Sequence, residues 1–137
     1  MVWLNITVIN DTPWPITEEP WDKHLHFGTR DGRLSCEPDC RAECKLRAEK
    51  GYFGVECGIE VGIPLACKGE RVTVWACFPA VGADKFDLQN WIRDASGPWV
   101  DAELILLNER ADTYARQLHV HFRQHTGMHE TLLVTTD

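Results

Sequence analysis

Residues 116–125 read Arg-Gln-Leu-His-Val-His-Phe-Arg-Gln-His. In an extended chain Leu118, Val120 and Phe122 share one side, and Gln117, His119, His121, Arg123 and His125 share the other. A helix would mix the two sets. The stretch therefore reads as a half-buried strand with an apolar inner face and a histidine-bearing outer face. Residues 2–9 repeat the pattern, with Val2, Leu4, Ile6 and Val8 opposed to Trp3, Asn5 and Thr7. Val72, Val74, Ala76 and Phe78 alternate with Thr73, Trp75 and Cys77 in the same way.

Working outward, the spacing predicts strands at 24–29, 52–61, 71–78, 99–107, 113–124 and 128–135, besides the opening one. Thr126-Gly127 is placed as a two-residue hairpin turn that would set Arg123 opposite Glu130. Pro13, Pro15 and Pro20 make residues 10–21 a connection with little regular structure. Two helices are expected. The first, over 37–50, has Pro38 in its first turn and Gly51 at its end; the second, over 85–95, follows an Asp84 cap, with Leu88, Trp91, Ile92 and Ala95 at helical spacing. The expected fold is mainly β: one domain spanning 1–137, a two-layer antiparallel β-sandwich of six or seven strands with two short helices.

The 137 residues suffice for one core, and the 44% apolar and 26% charged fractions are those of a globular chain. Fourteen Lys and Arg face 21 Asp and Glu, a formal charge of −7. Nucleic acid is a poor partner for that field, and no basic stripe is evident along the chain. A protein with a basic surface fits better. No apolar run is long enough to span a bilayer, and the opening residues show no export signal, which points toward the cytoplasm rather than secretion.

The outer-face histidines raise a metal question, because His24-Leu25-His26-Phe27 repeats the phrase His119-Val120-His121-Phe122. Two residues apart on a strand, each pair aims two imidazoles in one direction, as sheet-borne zinc sites do. Were the two strands neighbours, His24, His26, His119 and His121 could hold zinc for a hydrolase. Against this, Arg123 beside the second pair repels a cation, and the ordinary reading is histidine on a wet strand face.

Six cysteines fall into two groups. Cys36, Cys40 and Cys44 would stripe the first helix, where about 12 Å of rise between the outer two forbids a shared zinc. Cys57, Cys67 and Cys77 lie in the strand region. They pair as disulfides in an oxidising compartment, or serve as small buried hydrophobes in a reducing one, the reading that goes with the missing export signal. No local signature designates a cysteine nucleophile. Ser35 and Ser96, the two serines, sit at helix boundaries, and no phosphate- or dinucleotide-binding glycine pattern is present.

Six tryptophans remain. Trp75, Trp91 and Trp99 belong to regular elements, whereas Trp14 and Trp21 bracket the proline-rich connection. With Glu18, Glu19 and Asp22 they would form an aromatic anchor with an acidic rim. Asn5-Ile6-Thr7 and Asn10-Asp11-Thr12 match the glycosylation acceptor pattern. The opening strand and its Trp-containing connection resemble the start of small β-sandwich cytolysins, without a diagnostic motif.

Three functions are weighed. The expected one is a small acidic module of inhibitor or immunity type that binds a protein through Trp14, Glu18, Glu19, Trp21 and Asp22. The alternatives are the zinc hydrolase and a secreted, disulfide-stapled, cytolysin-like protein that binds glycans or membranes.

Overall fold

The computed structural model describes residues 3–20, 23–26, 28–48, 58–79, 83–93, 99–107 and 115–125. The strands are β1 (Trp3–Asp11), β2 (Ile16–Glu18), β3 (His24–His26), β4 (Gly28–Asp31) and β5 (Arg41–Ala48). They continue with β6 (Ile59–Cys67), β7 (Glu70–Phe78), β8 (Lys85–Ile92), β9 (Val100–Leu107) and β10 (Ala115–Gln124). No helix occurs among the described residues. One sheet has the order β4-β5-β1-β10-β9; the other runs β2-β6-β7-β8, with β3 also paired to β6.

The alternating strands behave as their patterns require. Leu4, Ile6 and Val8 of β1 meet Leu118, Val120 and Phe122 of β10 in the same core as Val61, Ile63 and Leu65 of β6 and Val72 and Val74 of β7, all at most 2% exposed. That core is the main stabilising term, since each buried aliphatic side chain contributes about 1.5–3 kcal/mol over its exposed state.

Both expected helices are strands, for different reasons. In β5 the sequence Arg-Ala-Glu-Cys-Lys-Leu-Arg-Ala suits a helix by propensity but also alternates strictly. Cys44, Leu46 and Ala48 are buried, while Arg41, Glu43, Lys45 and Arg47 are exposed. Tertiary pairing on both edges, to β1 and β4, overrides the propensity. Pro38 belongs instead to a turn closed by the Cys40 N–H on the Glu37 carbonyl at 3.2 Å, with Asp39 at φ 59°. The cysteine stripe disappears with the helix: Cys44 is buried, Cys40 exposed, and Cys36 bridges to Ile16.

In β8 the helical spacing of Leu88 and Trp91 comes from a β-bulge. Arg71 and Thr73 of β7 pair with Ile92 and Gln89, so two steps on one strand face three on the other, and Asn90 takes φ 55°. The extra residue shifts the inward phase from Leu88 to Trp91, and both pack on the core.

The sheets are not wholly antiparallel. β1 and β10 pair in parallel, from Trp3 with Ala115 to Asp11 with Arg123. A parallel pair needs a long crossover, and here the second sheet lies within it. β10 has β1 on one edge and β9 on the other, and Arg123 donates to Glu103 at 2.7 Å. The expected segments 52–57 and 128–135, the Thr126-Gly127 turn and Cys57 lie outside the described residues. The proline-rich connection carries β2, paired to β6.

Polar links tie the sheets at both ends of β10. Arg116 Nε donates to Asp84 Oδ2 at 2.9 Å at the start. At the finish, His125 Nδ1 lies 2.6 Å from Asp101 Oδ2, whose Oδ1 accepts from Arg93 at 3.1 Å. Arg93 in turn approaches Glu70 at 3.5 Å, and Glu70, only 3% exposed, accepts the Val100 N–H at 2.8 Å.

Candidate functional site

The two His-x-His pairs are not brought together. β3 belongs to the second sheet, where His24 pairs with Gly62 and His26 with Glu60. The His24 ring lies against Gly62 so closely that a Cβ there would fall 2.5 Å from His24 Cε1. Since Val61 and Ile63 point into the core, His24 is on the outer side of that sheet. His119 and His121 alternate with buried Leu118, Val120 and Phe122, which puts them on the outer side of the first sheet. The core separates His24 from His119 and His121. Among the described residues no group of three or more His, Cys, Asp or Glu could hold a metal ion. His121 instead pairs through Nε2 with Asp11 Oδ2, and His24 lies 3.7 Å from Glu60.

The expected acidic rim is partly consumed internally. Glu18 accepts from Arg30, from Lys23 Nζ at 2.5 Å and from the Leu34 N–H at 3.1 Å. Burial pushes the Glu18 carboxyl up, but the Arg30, Lys23 and Leu34 donors together outweigh it and hold it below the ordinary range. Trp14 is half-buried against the core, with Lys68 Nζ 5.9 Å from its ring centroid. Glu19 is half-buried, its N–H on the Pro64 carbonyl at 2.9 Å. Trp21 and Asp22 lie outside the described residues.

Asn10 fixes the neighbouring loops. Fully buried, it donates from Nδ2 to the carbonyls of Trp14 at 2.8 Å and Glu37 at 3.1 Å, and accepts the Thr12 N–H at 3.0 Å. Its amide is thus enclosed and engaged, contrary to what glycosylation at Asn10 requires. Cys36, Cys40, Cys44, Cys67 and Cys77 are free thiols. Burial pushes Cys36 and Cys44 up to about 11, and it raises Cys67 and Cys77 as well. Such thiols stay protonated near neutrality and are poor nucleophiles.

The feature that sequence reading missed is the outer face of the first sheet. Once residues 41–48 form a strand rather than a helix, Arg41, Glu43, Lys45 and Arg47 join Trp3, Asn5 and Thr7 of β1 and Gln117 and His119 of β10 on one surface. The register aligns Glu43, Thr7, His119 and Ile105 in one row across four strands. Trp3 and Ile105 are each 39% exposed, and the Arg47 guanidinium stands 5.7 Å from the Trp3 ring centroid. Between the longer side chains of β5 and β10, short Asn5 and Thr7 leave a depression of about 270 Å³, lined also by Arg41, Glu43, Gln117 and His119. The alternation of 41–48 was the signal that could have found this surface.

No protein-family model matches this chain, and no curated protein matches it.

Proposed function

We propose that the protein is a small acidic binding module whose partner is another protein, and that it engages this partner through the outer face of the sheet β4-β5-β1-β10-β9. The observation that carries the reading is the exposure of Trp3 and Ile105, two large apolar side chains, on one mostly polar face that also holds half-buried Ile9 and Leu107. Exposed aromatic and aliphatic groups within a polar surround are what protein interfaces use as anchors. The surround holds both signs, with Arg41, Lys45, Arg47 and Arg123 against Glu43, Asp101 and Glu103, so it offers paired charges to a partner. The overall charge of −7 favours a partner with a basic surface. This places the anchor away from the Trp14–Asp22 connection, where Glu18 already has cationic partners.

The test is affinity capture from an extract of the source cells with three immobilised proteins: wild type, the Trp3→Ala/Ile105→Ala double variant, and an Ile92→Ala control. Ile92 is 51% exposed but sits on β8 of the other sheet. The reading requires a protein retained by wild type and by the control and lost from the double variant. Equal retention by all three would contradict it.

A further inference from the structure

We infer that the depression centred on Thr7 is a carbohydrate site, and that the determinant it reads is a neutral oligosaccharide carried by the partner. This rests on the preceding reading of the same face as the recognition surface. Three observations carry it.

The first is the chemistry of the lining. The amides of Asn5 and Gln117, the Thr7 hydroxyl and the His119 imidazole can each donate and accept. Sugar hydroxyls do both as well, so vicinal hydroxyls can be matched by such groups from either side. Among the described residues, no hydrogen bond from another protein group reaches these four side chains. Their capacity is therefore open to a ligand in a half-buried setting, where a matched hydrogen bond contributes more than it does in bulk water.

The second is charge and size. Arg41 and Glu43, one of each sign, both line the depression, and Glu43 lies 3.8 Å from Lys45 beside it, so the lining itself carries no net formal charge. A volume of about 270 Å³ is small for a ligand pocket and suits a single ring. The third is Trp3, two strand residues from Asn5 on the same face, or about 6.8 Å. Its ring is 39% exposed and has the Arg47 guanidinium 5.7 Å from its centroid on one side, so the side turned from Arg47 is the platform for the C–H side of a second sugar. An added peptide strand has no place here, because both edges of β1 are hydrogen-bonded, to β5 and to β10.

The experiment is an array of immobilised neutral, sialylated and sulfated oligosaccharides, probed with labelled wild type and with Asn5→Ala, Gln117→Ala and Asp87→Ala variants. Circular dichroism confirms that each variant is folded. The inference expects neutral glycans to bind wild type and Asp87→Ala, and at least a tenfold loss in the Asn5 and Gln117 variants. A measurement on unaltered protein accompanies it: the side-chain amide signals of Asn5 and Gln117 should shift saturably when the best array glycan is added in solution. Binding to no glycan, binding unaffected by either variant, or binding that rises only with sulfation would each overturn it. If the glycan result is negative while the Trp3/Ile105 variant still loses its partner, only the carbohydrate inference falls. If that variant keeps its partner, the recognition surface falls too.

Discussion

Thr7 and His119 are direct partners across the parallel junction of β1 and β10. One comes from the first described strand and the other from the last, so the surface depression exists only once the two ends of the fold have met. The site is thus coupled to global folding, although its own side chains contribute little to stability. His119→Ala should change stability by less than about 0.5 kcal/mol, as surface changes do.

Asn10 should behave in the opposite way. Replacing it with Ala removes the donor to the Glu37 carbonyl, one of two donors to the Trp14 carbonyl and the acceptor of the Thr12 N–H in a buried setting, at a cost of about 2–4 kcal/mol in urea unfolding. Asn10→Asp should cost at least as much, because it sets a carboxylate against those same carbonyls. A loss under about 0.5 kcal/mol for either variant would mean that Asn10 does not hold the loops.

Two carboxyls contribute to the acid limb of stability. Burial opposes ionisation of Glu18 and Asp101, yet their cationic and hydrogen-bonding partners hold both below their ordinary values of 4.5 and 3.8. A lowered folded value means the unfolded chain takes up the proton first. The contribution is therefore complete above the ordinary values and is lost as pH falls through the folded ones. Glu18→Gln should lower stability at pH 7 and flatten the decline below pH ~5, seen in melting temperature against pH.

The two links between the sheets should differ in strength. Asp84 and Arg116 are each 26% exposed, and a double-mutant cycle should give a coupling of about 0.2–1 kcal/mol. Glu70 is buried and serves both Val100 and Arg93, so Glu70→Ala should cost roughly 2–4 kcal/mol.

Thiol labelling of the native protein, read by peptide mass mapping, should modify exposed Cys40 well before Cys44. Cys44 should react at the rate of global unfolding, since it is buried and its thiol is pushed up to about 11. Labelling of Cys44 at the Cys40 rate would contradict its place in the core.

What was legible in the sequence follows from period. Strands whose inner face is continuously apolar, such as 118–122 and 4–8, announce themselves, because no helix matches strict alternation. Residues 41–48 do not, since Ala, Glu, Lys, Leu and Arg favour helix locally and only the neighbours β1 and β4 decide otherwise. Residues 85–92 deceive through the bulge at Asn90, which turns a period of two into a gap of three. The parallel pairing of β1 with β10 left no local mark. The outer-face site was hidden by the first of these errors: read as a helix, Arg41–Arg47 cannot share a surface with Asn5, Thr7 and His119.

The central claim is that recognition occurs on the outer face of the first sheet. It is tested most directly by placing a photo-crosslinking residue at Lys45, exposed on that face beside the depression, in one protein and at Asp87, on the other sheet's outer side, in a second. Each is irradiated in an extract of the source cells. The account predicts a discrete adduct from position 45 and none from position 87. An adduct from 87 alone, or none from 45, would contradict it.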